Sequence, residues 1–288
     1  MHKIDWAFVD ARLQKRAPEA DKNTFGRVLL VCGSTGYTGA AYFSAMGAVR
    51  MGSGVVTLAV PEKAWPVLAV KLSEPVVRPV PNDENGLLSV QSIAALLPLA
   101  ARADALLIGC GLGRSDAVVE IVCTLLQKSK CQIVLDADGI NAVSEHTDIL
   151  RGTAKPVILT PHAGEFARLS GMERPSPDEI STFAQRNRSI VLYKGHRTLI
   201  CTPDGAQYRN TSGNPGMAKG GSGDVLAGMI VSLCGQGLSA ADAARVGAFL
   251  HGKAGDRAAN VLSEYGMSPE DLLHQLTKLL KRYNSREW

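Results

Sequence analysis

Six short runs rich in Val, Ile and Leu recur between stretches of helical period: Arg27–Cys32, Val55–Val60, Ala105–Gly109, Gln132–Asp136, Val157–Thr160 and Ser189–Lys194. Strands separated by helix-length connections pair in parallel, so the alternation predicts a mostly parallel sheet with helices on both faces. Near residue 200 the pattern changes. Thr198–Thr202 and Ala206–Arg209 flank Pro203-Asp204-Gly205, which reads as an antiparallel hairpin on the sheet's edge. Helical periods follow over Val225–Cys234, Ala240–Ala254 and Pro269–Tyr283, the last placing Leu272, Leu276 and Leu279 on one face. Val80–Gly86 reads as a surface loop, and no internal repeat or low-complexity tract divides the chain. Residues 1–288 are therefore read as one α/β domain.

Charge and cysteine usage bound the function. With 31 Lys+Arg against 27 Asp+Glu the net charge is +4, too slight and scattered for a nucleic-acid partner but compatible with a phosphorylated small molecule. Cys32, Cys110, Cys123, Cys131, Cys201 and Cys234 form no pair of metal-ligand spacing and sit mostly in apolar runs, as buried free thiols do in a reducing cytosol. The N-terminus lacks a signal-like apolar core, and no apolar stretch approaches the roughly 20 residues that span a bilayer. A cytoplasmic protein without a membrane partner is expected.

In such sheets chemistry gathers outside the carboxyl ends of the strands, so residues just after each run carry most weight. Gly220-Gly221-Ser222-Gly223-Asp224 precedes the helical run Val225–Val231, and glycine amides at a helix start suit phosphate. Asp224 would repel that ligand unless it takes a proton from an attacking hydroxyl; the alternative is a helix cap. Gly33-Ser34-Thr35-Gly36-Tyr37-Thr38-Gly39 resembles a dinucleotide fingerprint, but Val55–Val60 runs into Pro61 before an acidic residue, Glu62, appears to hold a ribose. Gly109–Gly113 brings backbone close to a ligand or forms a plain loop. Asp136 and Asp138 suit water around Mg²⁺, a polar ligand or, for Asp138, a helix cap. The spacing of His162 and Glu165 puts both on one face of a helical turn, and Lys194-Gly195-His196-Arg197-Thr198 offers an ammonium, a free amide and a hydroxyl to a nucleotide.

Taken together, the Gly111 turn, Asp136-Ala137-Asp138, Thr160–Glu165, Lys194–Thr198 and Gly213–Asp224 resemble the NAD(P)H-hydrate dehydratases of the ribokinase-like superfamily, from about Asn23 to the chain's end. The resemblance implies a three-layer α/β/α fold. It also implies a repair reaction in which (6S)-NADHX or NADPHX loses its added water as a nucleotide is consumed, generally ADP in bacterial members and ATP in eukaryotic ones. Carried over residue by residue, Ala40, Gly111, His162 and Asp224 meet the hydrate, while Lys194, Gly195, His196, Arg197, Thr198 and Gly223 meet AMP moieties. The amides of Gly221, Ser222 and Gly223 would form an anion hole, with Asp224 as the catalytic base. Mg²⁺ bridging nucleotide oxygens is implied, with Glu165 orienting its waters. A homotetramer is expected, as is a separate epimerase, because the dehydratase pattern begins almost at the N-terminus. Two departures stand out: Cys110 replaces a usual proline, and Asn23 stands where a Lys-Gly pair is common near Lys22.

Two rivals remain. A ribokinase-like kinase of a vitamin precursor, of the hydroxymethylpyrimidine, hydroxyethylthiazole or pyridoxal type, typically carries Asn where this chain has His162. A catalytically idle nucleotide sensor would tolerate loss of Asp224, which is present.

Overall fold

In a computed structural model, which describes residues 2–284, a ten-stranded sheet runs between two layers of helices. The strands are β1 (His2–Lys3), β2 (Arg27–Val31), β3 (Val55–Pro61), β4 (Val76–Val80), β5 (Ala105–Ile108), β6 (Gln132–Leu135), β7 (Ile158–Leu159), β8 (Ile190–Tyr193), β9 (Leu199–Cys201) and β10 (Gln207–Arg209). Their spatial order is β1-β10-β9-β8-β7-β6-β5-β2-β3-β4. Only β9 runs against its neighbours, β8 and β10. All six expected runs are strands. The hairpin also forms, with Cys201 opposite Gln207, but β1 pairs with β10 in parallel, so the hairpin lies one strand in from the edge. β4, unanticipated, carries Arg78 and Pro79 on the opposite edge, where a proline costs no internal ladder bond.

Strands β2, β3, β5, β6, β7 and β8 put apolar residues on both faces, which is why those runs read as continuous rather than alternating. In β2, Val28 and Leu30 face the layer of α1 (Trp6–Asp10), α2 (Thr38–Met51), α3 (Trp65–Lys71), α9 (Ser222–Gly235), α10 (Ala240–Gly266) and α11 (Pro269–Leu280). Leu29 and Val31 face α4 (Ser92–Ala100), α5 (Asp116–Lys128), α6 (Asp138–Ala142), α7 (Ala163–Ser170) and α8 (Pro177–Arg186). Two helices differ from the sequence reading. α9 opens at Ser222 rather than Val225, so the glycine-loop residues Ser222, Gly223 and Asp224 form its first turn. α10 continues to Gly266 across a break at Ser263, where φ is 67°. None of the described helices is long and apolar enough to cross a membrane.

Two features of this frame place the site. After β2 the chain builds β3 and β4 outward on one side, then returns to build β5 to β8 on the other, so the carboxyl ends of β2 and β5 border a crevice at a topological switch. α9 aims its N-terminus toward that rim while packing directly on α2. A Cβ on Gly228 would lie 2.0 Å from the Ser44 carbonyl, and one on Gly47 2.5 Å from the Val225 carbonyl. Gly228→Ala therefore forces the helices apart, with an expected loss of about 1–3 kcal/mol. Chemical denaturation checks this; an unchanged midpoint would rule out so close a contact.

Candidate active site

Strand ends deliver the polar groups. Asp136, just after β6, is 2% exposed, and its Oδ1 accepts hydrogen bonds from Thr160 Oγ1 at 2.7 Å and Lys194 Nζ at 2.7 Å. The Cys110 thiol, from the turn after β5, points at the other oxygen, Oδ2, across 3.5 Å. Thr160 and Lys194 follow β7 and β8. Lys194 also lies 3.8 Å from Glu165 Oε2. Burial opposes the ammonium's charge, yet the fields of Asp136 and Glu165 and the bond to Asp136 outweigh it and hold the Lys194 pKa above its ordinary value.

α7 begins with a reciprocal cap. The His162 ring accepts at Nδ1 from the amides of Gly164 and Glu165, while Glu165 Oε2 accepts from the His162 amide at 2.8 Å. His162 Nε2 then faces Glu165 Oε1 at 3.3 Å, so the two residues share one face as their spacing predicts. Because a ring nitrogen that accepts two amides carries no proton, the neutral tautomer has its N–H at Nε2, facing the carboxylate.

The start of α9 is the third part. Gly221 caps it with φ 99°, a left-handed conformation suited to glycine, and a Cβ there would meet the Phe43 ring at 2.8 Å. Among the three amides expected to form an anion hole, that of Ser222 is already bonded to the Lys219 carbonyl at 3.2 Å. A turn at Lys219–Ser222 thus engages the central donor. The amides of Gly221, Gly223 and Asp224 have no backbone partner among the described residues, the last two sitting on the open first turn. A methyl on Gly223 would stand 3.4 Å from Lys194 Nζ, so these amides and the ammonium converge on one place.

Asp224, on the same turn, is the most perturbed acid here. Desolvation chiefly, then the negative charge of Asp136, raises its pKa from 3.8 to about 7, against the lowering effects of the Cys110 thiol and Lys194; Glu165 adds a further small rise. A carboxylate that titrates near neutrality is poised to accept a proton.

Below the turn, His251 of α10 is buried with Nε2 2.9 Å from the Ser222 carbonyl. Desolvation, with Lys194 adding to it and the Ser222 carbonyl opposing, pushes its pKa from 6.5 down to about 4. The unfolded chain therefore takes a proton near pH 6.5 that the folded chain refuses until about pH 4, and stability falls as pH drops through that window. The loss reaches about 3 kcal/mol. His251→Gln should flatten that part of a denaturation series against pH; an unaltered slope would assign the loss to other groups.

The remaining expected residues lie around these parts. Gly111 and Ala40 touch across the crevice, since a Cβ on Gly111 would come 2.8 Å from the Ala40 methyl. Gly195, His196 and Arg197 are exposed in the turn after β8, where Arg197 has φ 61° and Thr198 Oγ1 donates to the Gly195 carbonyl at 3.2 Å. Asp138 is turned to structure: it accepts from the Gly113 amide at 2.9 Å and opens α6. Two groups at the centre were not singled out by spacing. Cys110 registered only as a departure from a pattern, and His251 lies in an amphipathic helix where a core reading is the default.

This combination, an α/β sheet with free amides, an ammonium and a near-neutral carboxylate gathered at a helix start, defines a ribokinase-like protein, and solved structures agree. A ribokinase-like superfamily protein from Enterococcus faecalis superposes with TM-score 0.87 at 27% identity, covering 99% of this chain and 97% of the other. An ADP/ATP-dependent NAD(P)H-hydrate dehydratase from Bacillus subtilis, co-crystallized with ATP/Mg²⁺, gives 0.81 at 30% identity with 96% of each chain covered. Residues 28–278 match the NAD(P)H-hydrate dehydratase family, and the chain belongs to it. An ADP-dependent (S)-NAD(P)H-hydrate dehydratase of Xanthomonas campestris is 32% identical over 271 residues, 92% of each chain. A bifunctional NAD(P)H-hydrate repair enzyme of Moorella thermoacetica is 42% identical over 96% of this chain but 53% of its own length. The chain thus spans about half of such bifunctional relatives.

Proposed function

We propose that this chain dehydrates (6S)-NADHX and NADPHX, using ADP and releasing AMP and phosphate. The observation that carries the reading is Asp224: a carboxylate with pKa about 7 beside free helix-start amides and an ammonium. In the proposed reaction the hydrate's hydroxyl lies between Asp224 and the nucleotide's terminal phosphate. Asp224 takes the hydroxyl proton as the oxygen attacks phosphorus, and the amides of Gly223 and Asp224 stabilise charge on the transferring group. The bond from that phosphorus to the bridging oxygen breaks, and AMP leaves. Hydroxide, a poor leaving group, has become phosphate. The ring nitrogen's lone pair expels it, the adjacent carbon loses a proton to solvent, and the dihydronicotinamide is restored.

Ala40, Gly111 and His162 are proposed to hold the hydrate; Lys194–Thr198 and Gly223 are proposed to hold AMP moieties. A nucleotide-borne Mg²⁺ would supply charge neutralisation between phosphate oxygens. Glu165 fits only through water, because both its oxygens already face His162 or Lys194. The proposal includes a cytoplasmic homotetramer, whose subunit count light scattering reports. The decisive test incubates purified protein with (6S)-NADHX, Mg²⁺ and ADP or ATP and follows dihydronicotinamide absorbance and AMP. Unchanged hydrate with both nucleotides, alongside phosphorylation of a vitamin precursor, would establish the kinase instead.

A further inference from the structure

Cys110, Asp136 and Asp224 each offer one ligand atom, and the three atoms lie within 4.8 Å of one another. A tetrahedral zinc with one sulfur and two oxygen ligands holds those atoms about 3.5 Å apart, given the usual bond lengths. The Cys110 Sγ to Asp136 Oδ2 distance is already 3.5 Å. Lys194 and Thr160 both bond the other oxygen of Asp136, which orients the carboxylate and leaves Oδ2 turned to the thiol. Only Asp224 needs to close in, from the first turn of α9 and from the partly exposed side of the group. The charges agree: three carboxylates, Asp136, Asp224 and Glu165, gather around one ammonium, Lys194, with the His162 ring at the far oxygen of Glu165.

We propose that Cys110, Asp136 and Asp224 form a binding site for a thiophilic divalent cation, Zn²⁺ or Cd²⁺, that caps the Asp224 carboxylate and so inhibits the enzyme. Coordination is through the thiolate: the metal–sulfur bond forms as the Cys110 S–H bond breaks, and its proton goes to solvent. The fourth position faces the crevice and takes water. Mg²⁺ is excluded on chemistry, because it demands six oxygen ligands near ideal octahedral geometry and gains little from sulfur. The donor set thus separates two cations: a hard one carried by the nucleotide, and a soft one that shuts the base away. Binding is independent of the dehydratase reading; only the inhibition rests on it.

The test is a Cd²⁺ titration of the full chain without nucleotide or hydrate, followed by the ultraviolet thiolate-to-cadmium charge-transfer band and by proton release. One equivalent should saturate the band. Cys110→Ser should abolish it and weaken binding by about a hundredfold or more, Asp224→Asn should weaken binding about tenfold, and Cys32→Ser should retain the band. No band in the wild type, a band that survives Cys110→Ser, or one lost with Cys32→Ser would overturn the site. In a separate assay, Zn²⁺ should inhibit NADHX turnover and a chelator restore it. Full turnover with the site loaded would overturn the capping role. A chain that binds Cd²⁺ at Cys110 yet never dehydrates NADHX would instead refute the proposed reaction and leave the metal site standing.

Discussion

Asp224→Asn is expected to lower kcat by about a hundredfold or more while nucleotide affinity changes little, because the amide keeps the side chain's shape and removes its basicity. The pH behaviour sharpens this. With a pKa of about 7, the wild-type base becomes active as pH rises through neutrality, and kcat/KM should rise with it; the variant should lack that limb. Stability moves the other way. The folded pKa lies above the unfolded 3.8, so the folded state holds the extra proton, and stability is lost as pH climbs from about 4 through about 7. Ionised Asp224 therefore costs up to about 4 kcal/mol above neutrality, less what solvent screening removes at this partly exposed group. Asp224→Asn should accordingly melt higher than the wild type at pH 8 while being nearly inactive, a stability–activity trade-off at one residue. Near-normal turnover in the folded variant would remove Asp224 from the chemistry, and an unchanged melting temperature would remove the strain attributed to it.

The second large effect is expected at Lys194. Its ammonium bonds Asp136 at 2.7 Å and lies 3.8 Å from Glu165, both carboxylates being almost wholly buried. Lys194→Met keeps much of the side chain's bulk and leaves both charges without their cation. Removing one member of a buried ion pair costs about 3–5 kcal/mol, far more than the pair itself contributes relative to an apolar replacement. Combining Lys194→Met with Asp136→Asn should recover more than half of that loss, because the charge left alone is then gone. Denaturation of the two single variants and the double variant measures this coupling. A cost below about 1 kcal/mol for Lys194→Met would mean that the ammonium is a surface contact for ligand and no part of the frame. Nucleotide binding should weaken as well, since the same ammonium stands beside the first turn of α9.

How far these groups could be read from the chain depends on the range of the physics that sets them. Local rules sufficed for the six buried strands, because residues apolar on both faces have no other place to go, and for the β9–β10 turn, because Pro203-Asp204-Gly205 prescribes its own backbone. Local rules also placed His162 and Glu165 on one face, since a single helical turn relates them. They failed at β1 and β4, edge strands that bury too little to need an apolar signature, and at the start of α9, where glycines conceal the first helical turn.

What the sequence determined by itself was a mostly parallel sheet, the positions after its strands where chemistry gathers, and a family pattern joining them. Only the tertiary structure decided which of those positions meet. Asp136 and Lys194 are 58 residues apart yet share a 2.7 Å bond, because β6, β7 and β8 lie side by side and end at the same rim. The Cys110 thiol reaches Asp136 for the same reason, across β5 and β6. The basicity of Asp224 belongs to no segment of the chain: it arises when α9 brings a carboxylate out of water and up to another one, and desolvation and Coulomb repulsion depend on neighbours in space.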